Sequence, residues 1–212
     1  MPKLNTTIDN LELKSNKVVS TSDPSTWTDA QYPSAKALLD IAHPVGSIIT
    51  TATNENPASK LGGAWELVDK AFKGTYIPID SSFWTPLKAD IIGSNSSAIL
   101  IDHSISLRLN FNNTTVLDDN AADIGTLDLT RCGVSKLSYG LSFDPIISDS
   151  GNCTMNYRIT QDGVISIHEV LNIDGTHTMP TGSNFYINIL QPVGHDNMLD
   201  SVCDKFYWKR TA

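Results

Sequence analysis

Charge is scarce in this chain. Only 18% of its 212 residues are Asp, Glu, Lys or Arg, below the roughly 25% of an average soluble domain, and long runs of like charge are missing. Lys and Arg number 15 against 23 Asp and Glu, a net charge of -8. A surface of that sign repels a nucleic-acid backbone. Cysteine is rarer still: Cys132, Cys153 and Cys203 are widely spaced, with no CxxC pair. That excludes a dense disulfide framework and the usual zinc spacing, and leaves free thiols as the plain reading. No stretch approaches the roughly 18 consecutive apolar residues of a membrane span, and the opening MPKLNTTIDN has no apolar h-region. Neither a span nor a signal peptide is therefore expected.

Catalytic and metal-binding patterns are also missing. His43, His103, His168, His177 and His195 are dispersed, with no HxxxH or HExxH spacing to set two on one helical face. No GxSxG elbow or Gly-rich phosphate loop occurs. Asp118, Asp119, Asn120, Asp123 and Asp128 make an oxygen-rich stretch, but not at the DxDxDG spacing that wraps calcium, so a solvated acidic turn is the expectation. No catalytic residue, cofactor or metal ligand is assigned. The chain reads as a binding or structural protein, with a small cell-wall or capsule hydrolase as the enzymatic alternative.

What the chain does have is Ser, Thr and Asn, about a quarter of all residues, and period-two alternation. Ile105, Leu107, Leu109 and Phe111 alternate with Ser106, Arg108, Asn110 and Asn112, the pattern of a strand buried on one side. Phe185, Ile187 and Ile189 repeat it. Ile165, Ile167, Leu171 and Ile173 are read as one face, with Glu169 the exception, between turns at Gln161-Asp162-Gly163 and Asp174-Gly175. Short turns without long intervening helices predict a mainly β protein, with an antiparallel β-sandwich or jelly roll over 81–212.

The N-terminal region differs. Residues 1–31 carry few apolar positions and are read as an attachment or oligomerisation segment, with a short hairpin across 8–20. A helix is predicted next, to end at His43-Pro44, because a residue before proline is disfavoured in the helical region. Over 32–43, Ala35, Leu38, Leu39 and Ala42 fall on one face. That face either docks on its own chain or lines a parallel bundle about a symmetry axis. From residue 44 the pattern turns to strands: Val45–Thr51, a turn at Asn54–Pro57, and Gly62–Val68 opened by two glycines.

Three strings carry a likeness to a known family. Tyr32-Pro33-Ser34-Ala35-Lys36-Ala37 resembles the YPSAKAV connector of bacteriophage fibre and appendage proteins. His43–Ile49, Asn56-Pro57 and Leu61-Gly62-Gly63-Ala64-Trp65-Glu66 resemble the PVGSIY, NP, FGGTWE module of phage tail fibre and baseplate proteins, and Tyr207–Ala212 resembles their MWKRTA terminus. Ile49, Leu61 and Ala64 depart from the usual Tyr, Phe and Thr. The resemblance implies a phage virion appendage, assembled as a homotrimer about the helix and displayed on the particle surface. Its partners would be itself, other virion proteins and a host-surface glycan; a head fibre, collar or connector is the structural alternative. It further implies a 44–80 module with Trp65, Tyr207 and Trp208 in its core, closed by the returning strand 203–212. Phe83 and Trp84, in a polar, proline-flanked string, are the candidate glycan-stacking aromatics.

Overall fold

The computed structural model describes residues 39–118, 120, 122–138, 145–147, 153–172 and 174–212. The expected hairpin at 8–20, Ala35, Leu38, Asp119 and Ile173 lie outside them. The fold is mainly β, built of antiparallel sheets, one of them curled as a half-barrel, and among the described residues the helices are only short turns. Two compact units divide between Lys70 and Ala71 and again between Asp204 and Lys205.

The described part of the smaller unit opens on helical residues 39–42, and the helix stops before Pro44. Strand β1 (Ile48–Thr51) follows, then a helical turn (Ala58–Leu61), the start of β2 (Trp65–Pro78) and the last strand of the chain. That last strand, Cys203–Arg210, is β14 in chain order. It runs antiparallel to β1, with Ile48 opposite Lys209 and Thr51 opposite Phe206, and lies between β1 and β2. Its alternation sends Phe206, Trp208 and Arg210 inward.

The larger unit holds the rest of β2, then β3 (Trp84–Pro86), β4 (Ala89–Ile91), β5 (Ser97–Asp102), β6 (Ser104–Asn113), β7 (Leu117–Asp118), β8 (Ala122–Leu127), β9 (Pro145–Ile147), β10 (Cys153–Ile159), β11 (Val164–Asn172), β12 (Thr178–Met179) and β13 (Asn184–Pro192). One sheet runs β2-β5-β6-β13 and another β3-β8-β11-β10-β9. The alternation at 105–111 is β6: Ile105, Leu107, Leu109 and Phe111 are essentially fully buried. Phe111 faces Phe185 across the β6–β13 ladder, ring centroids 5.4 Å apart. Trp84, from the other sheet, rests on Phe111 at 4.9 Å. Aromatic pairs at such separations add roughly 0.5–1.5 kcal/mol beyond the area they bury.

Strand β11 corrects the sequence reading. Ile165 and Ile167 point inward, but Leu171 is 45% exposed and Val170 is buried in its place. A bulge explains the change: Tyr157 pairs with Ile167 and the preceding Asn156 with Glu169, so His168 is the extra residue. One inserted residue flips every later side chain to the other face.

Candidate functional site

The matched strings of the smaller unit converge on Arg210. Its side chain is 1% exposed, placed inward by the alternation of β14. Nε donates to the Ala212 carbonyl at 3.0 Å and Nη1 to the His43 carbonyl at 2.5 Å, while Nη2 is ion-paired with Asp40. His43 follows the helical turn, so the guanidinium meets the end where helix carbonyls lack partners and positive charge is favoured. The surrounding backbone is tied in the same way. Arg210 N donates to Ser47 O at 2.9 Å, Gly46 N to Arg210 O at 2.8 Å, Ala64 N to Ala212 O at 2.9 Å and Thr211 N to Ala64 O at 2.8 Å.

Gly63 is what permits this approach. Its φ is +73°, and a Cβ there would lie 2.8 Å from the Ala212 carbonyl oxygen and 3.2 Å from Arg210 Nε. Beside it Trp65 is buried, its indole N–H donating to Gly62 O at 2.8 Å and its ring meeting the edge of His43 at 5.8 Å. Trp208 is buried too, and its indole N–H donates to Thr51 Oγ1 at 3.0 Å. Tyr207 is half-buried, opposite Thr50. Of the helix-face residues, Leu39 is buried and its methyl carbon would touch a Cβ at Gly63, so it is covered by its own chain; Ala42 is exposed. Arg210 stands within the terminal string without a role assigned from sequence. The signal was there, since period two puts it on the same side as Phe206 and Trp208.

In the larger unit, the expectation for Trp84 is corrected. The side chain is 6% exposed, its indole N–H donates to Ala89 O at 2.7 Å, and Gly125 makes room for the ring, since a Cβ there would lie 2.1 Å from it. Asp80 caps the short turn Ser81–Phe83 and β3 starts at Trp84, so the polar string turns its second aromatic inward. Phe83 is half-buried, and the guanidinium of Arg131 lies over its ring at 5.6 Å. Arg131 also donates to Ser82 Oγ at 2.7 Å and sits 3.6 Å from an Asp128 oxygen. Asp80 accepts from the Ser82 hydroxyl and amide, which hold its carboxyl below the ordinary range. The hydroxyl of Thr130 does the same for Asp128. This group is a solvated cluster of two carboxylates and one guanidinium, and the arginine lies over one face of the aromatic ring.

The remaining candidates do not gather. Asp118 accepts from Asn120, whose side chain lowers its carboxyl, and Asp123 lies in the β8–β11 ladder. Among the described residues no three His, Cys, Asp or Glu side chains come together to hold a metal ion. His177 lies exposed in the turn before β12. Cys132, Cys153 and Cys203 are buried thiols; burial pushes Cys132 up to about 12, far from a reactive thiolate at neutral pH. Compared with protein-family models, curated proteins and solved structures, the chain matches none.

Proposed function

We propose that this chain is a non-enzymatic bacteriophage virion appendage of the tail fibre or baseplate kind, assembled as a homotrimer that presents a β-sandwich outward for attachment to a host-surface glycan. It is made in the bacterial cytoplasm and works on the particle surface. The observation that carries the reading is the convergence on Arg210. His43–Ile49, Gly62–Trp65 and Tyr207–Ala212, the strings that resemble the phage module, are far apart in sequence and share one hydrogen-bonded unit. In that arrangement the module closes only when its last residues are in place. By mechanism, three weak identical contacts held together raise the effective concentration of the second and third sites once the first has engaged.

A structural connector is the second reading, and a specific observation favours it. Trp84 is buried and Arg131 covers a face of Phe83, so both aromatics singled out for sugar stacking are compromised. The separating experiment is binding of the fluorescently labelled full chain to whole host cells and to phage particles lacking it. Saturable binding to cells, with the glycan left at full polymer mass, supports the adhesin. Binding to the depleted particle alone supports the connector, and shortening of the glycan overturns both in favour of the hydrolase.

A further inference from the structure

We infer that the outer face of the β2-β5-β6-β13 sheet is where one copy of this chain meets another. The ladder registers align its side chains into two rows. Tyr76 stands opposite Ile99, Ile99 opposite Ser106, and Ser106 opposite Leu190. One step along, Ile101 stands opposite Ser104, and Ser104 opposite Pro192. These positions alternate with the buried Leu100, Ile105, Leu107 and Ile189, so they face away from the core. Tyr76 is 65% exposed, Ile99 39%, Ile101 55% and Leu190 76%. Further along β6 and β13 the outward positions are mostly polar, Arg108, Asn110, Asn112, Asn184 and Asn188, with Tyr186 the exception. Here they are branched aliphatics and a tyrosine.

Three properties of the face select a second copy as its occupant. The first is charge. Each chain carries -8, so copies repel wherever carboxylates meet. Neither row contains an acid, and the next row contributes Arg108 and Asn188. The second is relief. Ser104 and Ser106 on β6 form a trough between the Ile99-Ile101 ridge on β5 and the Leu190-Pro192 ridge on β13, and strands about 4.8 Å apart leave room in it for one row of side chains. A face with its own ridge and its own trough is complementary to itself. The third is area. The four exposed side chains offer roughly 450 Å², within the size range of the largest apolar patch on a monomer, which is often functional. Two such faces with their polar margin approach the ~1,200 Å² at which stable interfaces begin. Isoleucine and leucine lack the hydrogen-bonding groups with which a sugar is held beside an aromatic ring.

The inference rests on the self-association in the proposed function but not on its stoichiometry. Native mass spectrometry and sedimentation of the full chain test it, with Ile101→Lys and Leu190→Lys as variants. Both sites are exposed, so the variants should keep the wild-type circular dichroism and a cooperative melt while their assembly weakens at least about tenfold. Ser106→Cys supplies a proximity measurement independent of stability: a short bismaleimide should join two copies through it under native conditions, and should not do so through Thr181→Cys on an exposed turn. An oligomer untouched by both lysines and not cross-linked at residue 106 overturns the inference and leaves the oligomeric reading standing. The same holds if Leu38→Asp dissociates the assembly while the lysines do not. A wild-type monomer throughout the tens-of-micromolar range overturns both.

Discussion

The two units are held by different physics. In the larger one, β6 and its neighbours bury Leu100, Ile105, Leu107, Leu109, Phe111, Phe185 and Ile187 almost completely, so apolar area dominates. Among the described residues, the smaller one has a handful of buried apolar side chains, Leu39, Trp65, Phe206 and Trp208 among them, and the largest fully buried side chain is charged, Arg210. Its described residues, 39–70 and 205–212, bury too little apolar surface among themselves to be secure by area alone. It gains order from one guanidinium that reaches two carbonyls and a carboxylate. Planar, always charged and able to donate five hydrogen bonds, arginine suits this better than any other side chain. The difference is one of vulnerability. An apolar core loses stability by degrees as methyl groups are removed, whereas a latch of this kind fails when a single residue goes.

The largest effect should therefore come from the end of the chain. Deleting Phe206–Ala212 strips β1 of its partner strand and leaves Ala64, Gly46 and His43 without theirs; insoluble protein is expected, and a soluble, cooperatively melting truncation would refute the closure. Arg210→Met is the finer cut. Asp40 is 41% exposed, so the ion pair itself counts for little; the cost comes from the two carbonyls left without a charged donor, about 1.5–3 kcal/mol each, and Arg210→Lys should recover little of it, since a point charge cannot make the same fork. Native-state hydrogen exchange checks where the loss falls: the amides of Gly46, Ala64 and Thr211 should exchange at least a hundredfold faster while those of Leu107 and Leu109 hold. Equal acceleration in both sets would mean that the units unfold together and the contrast between them is false.

On the other side of the comparison, Leu109→Ala should cost about 2–4 kcal/mol by cavity formation in the larger unit, seen as a lower urea midpoint with Gly46 and Ala64 exchange unchanged. Phe83→Ala is expected to do far less. It removes an exposed cation–π contact with Arg131, worth about 0.5–1 kcal/mol. If the ring also serves glycan attachment, cell binding should drop well beyond what that stability change explains.

How much of this could be read beforehand depends on the distance over which each feature is encoded. The alternations at 105–111 and 185–190 are local; β13 follows its pattern residue by residue, and β6 does so except at Asn110, an outward position that is buried. The face of β11 was misread because its bulge is a property of the pairing with β10, which no window on β11 alone contains. Strand β2 was expected to stop near Val68 and continues to Pro78: Lys73 and Gly74 break the apolar pattern where the ladder with β5 shifts register between Phe72 and Thr75. Trp84 sits in a polar string, and only Gly125, forty-one residues later, shows that its ring has a place inside. Arg210 lay on a legible face, but its partners Asp40 and His43 are at the opposite end of the chain.

The smallest predicted effect is with pH, and it separates the units again. Asp80, Asp118, Asp128 and Asp174 each accept hydrogen bonds from a neighbouring Ser, Thr or Asn, and each carboxyl is drawn below its ordinary value. All four belong to the larger unit. Once unfolded they return to about 3.9, so the unfolded chain binds protons first as the solution is acidified. Their contribution is then complete above that value and is lost as pH falls through the lower folded-state values. Because all four are solvated, the loss is modest. Urea midpoints of the larger unit should stay level from about pH 7 to about pH 5 and decline below about pH 4. Asp80→Asn combined with Asp128→Asn should lower the plateau slightly and flatten the decline. A double variant with the wild-type slope would show that these four turns are ornaments on the fold, and that acid acts on it elsewhere.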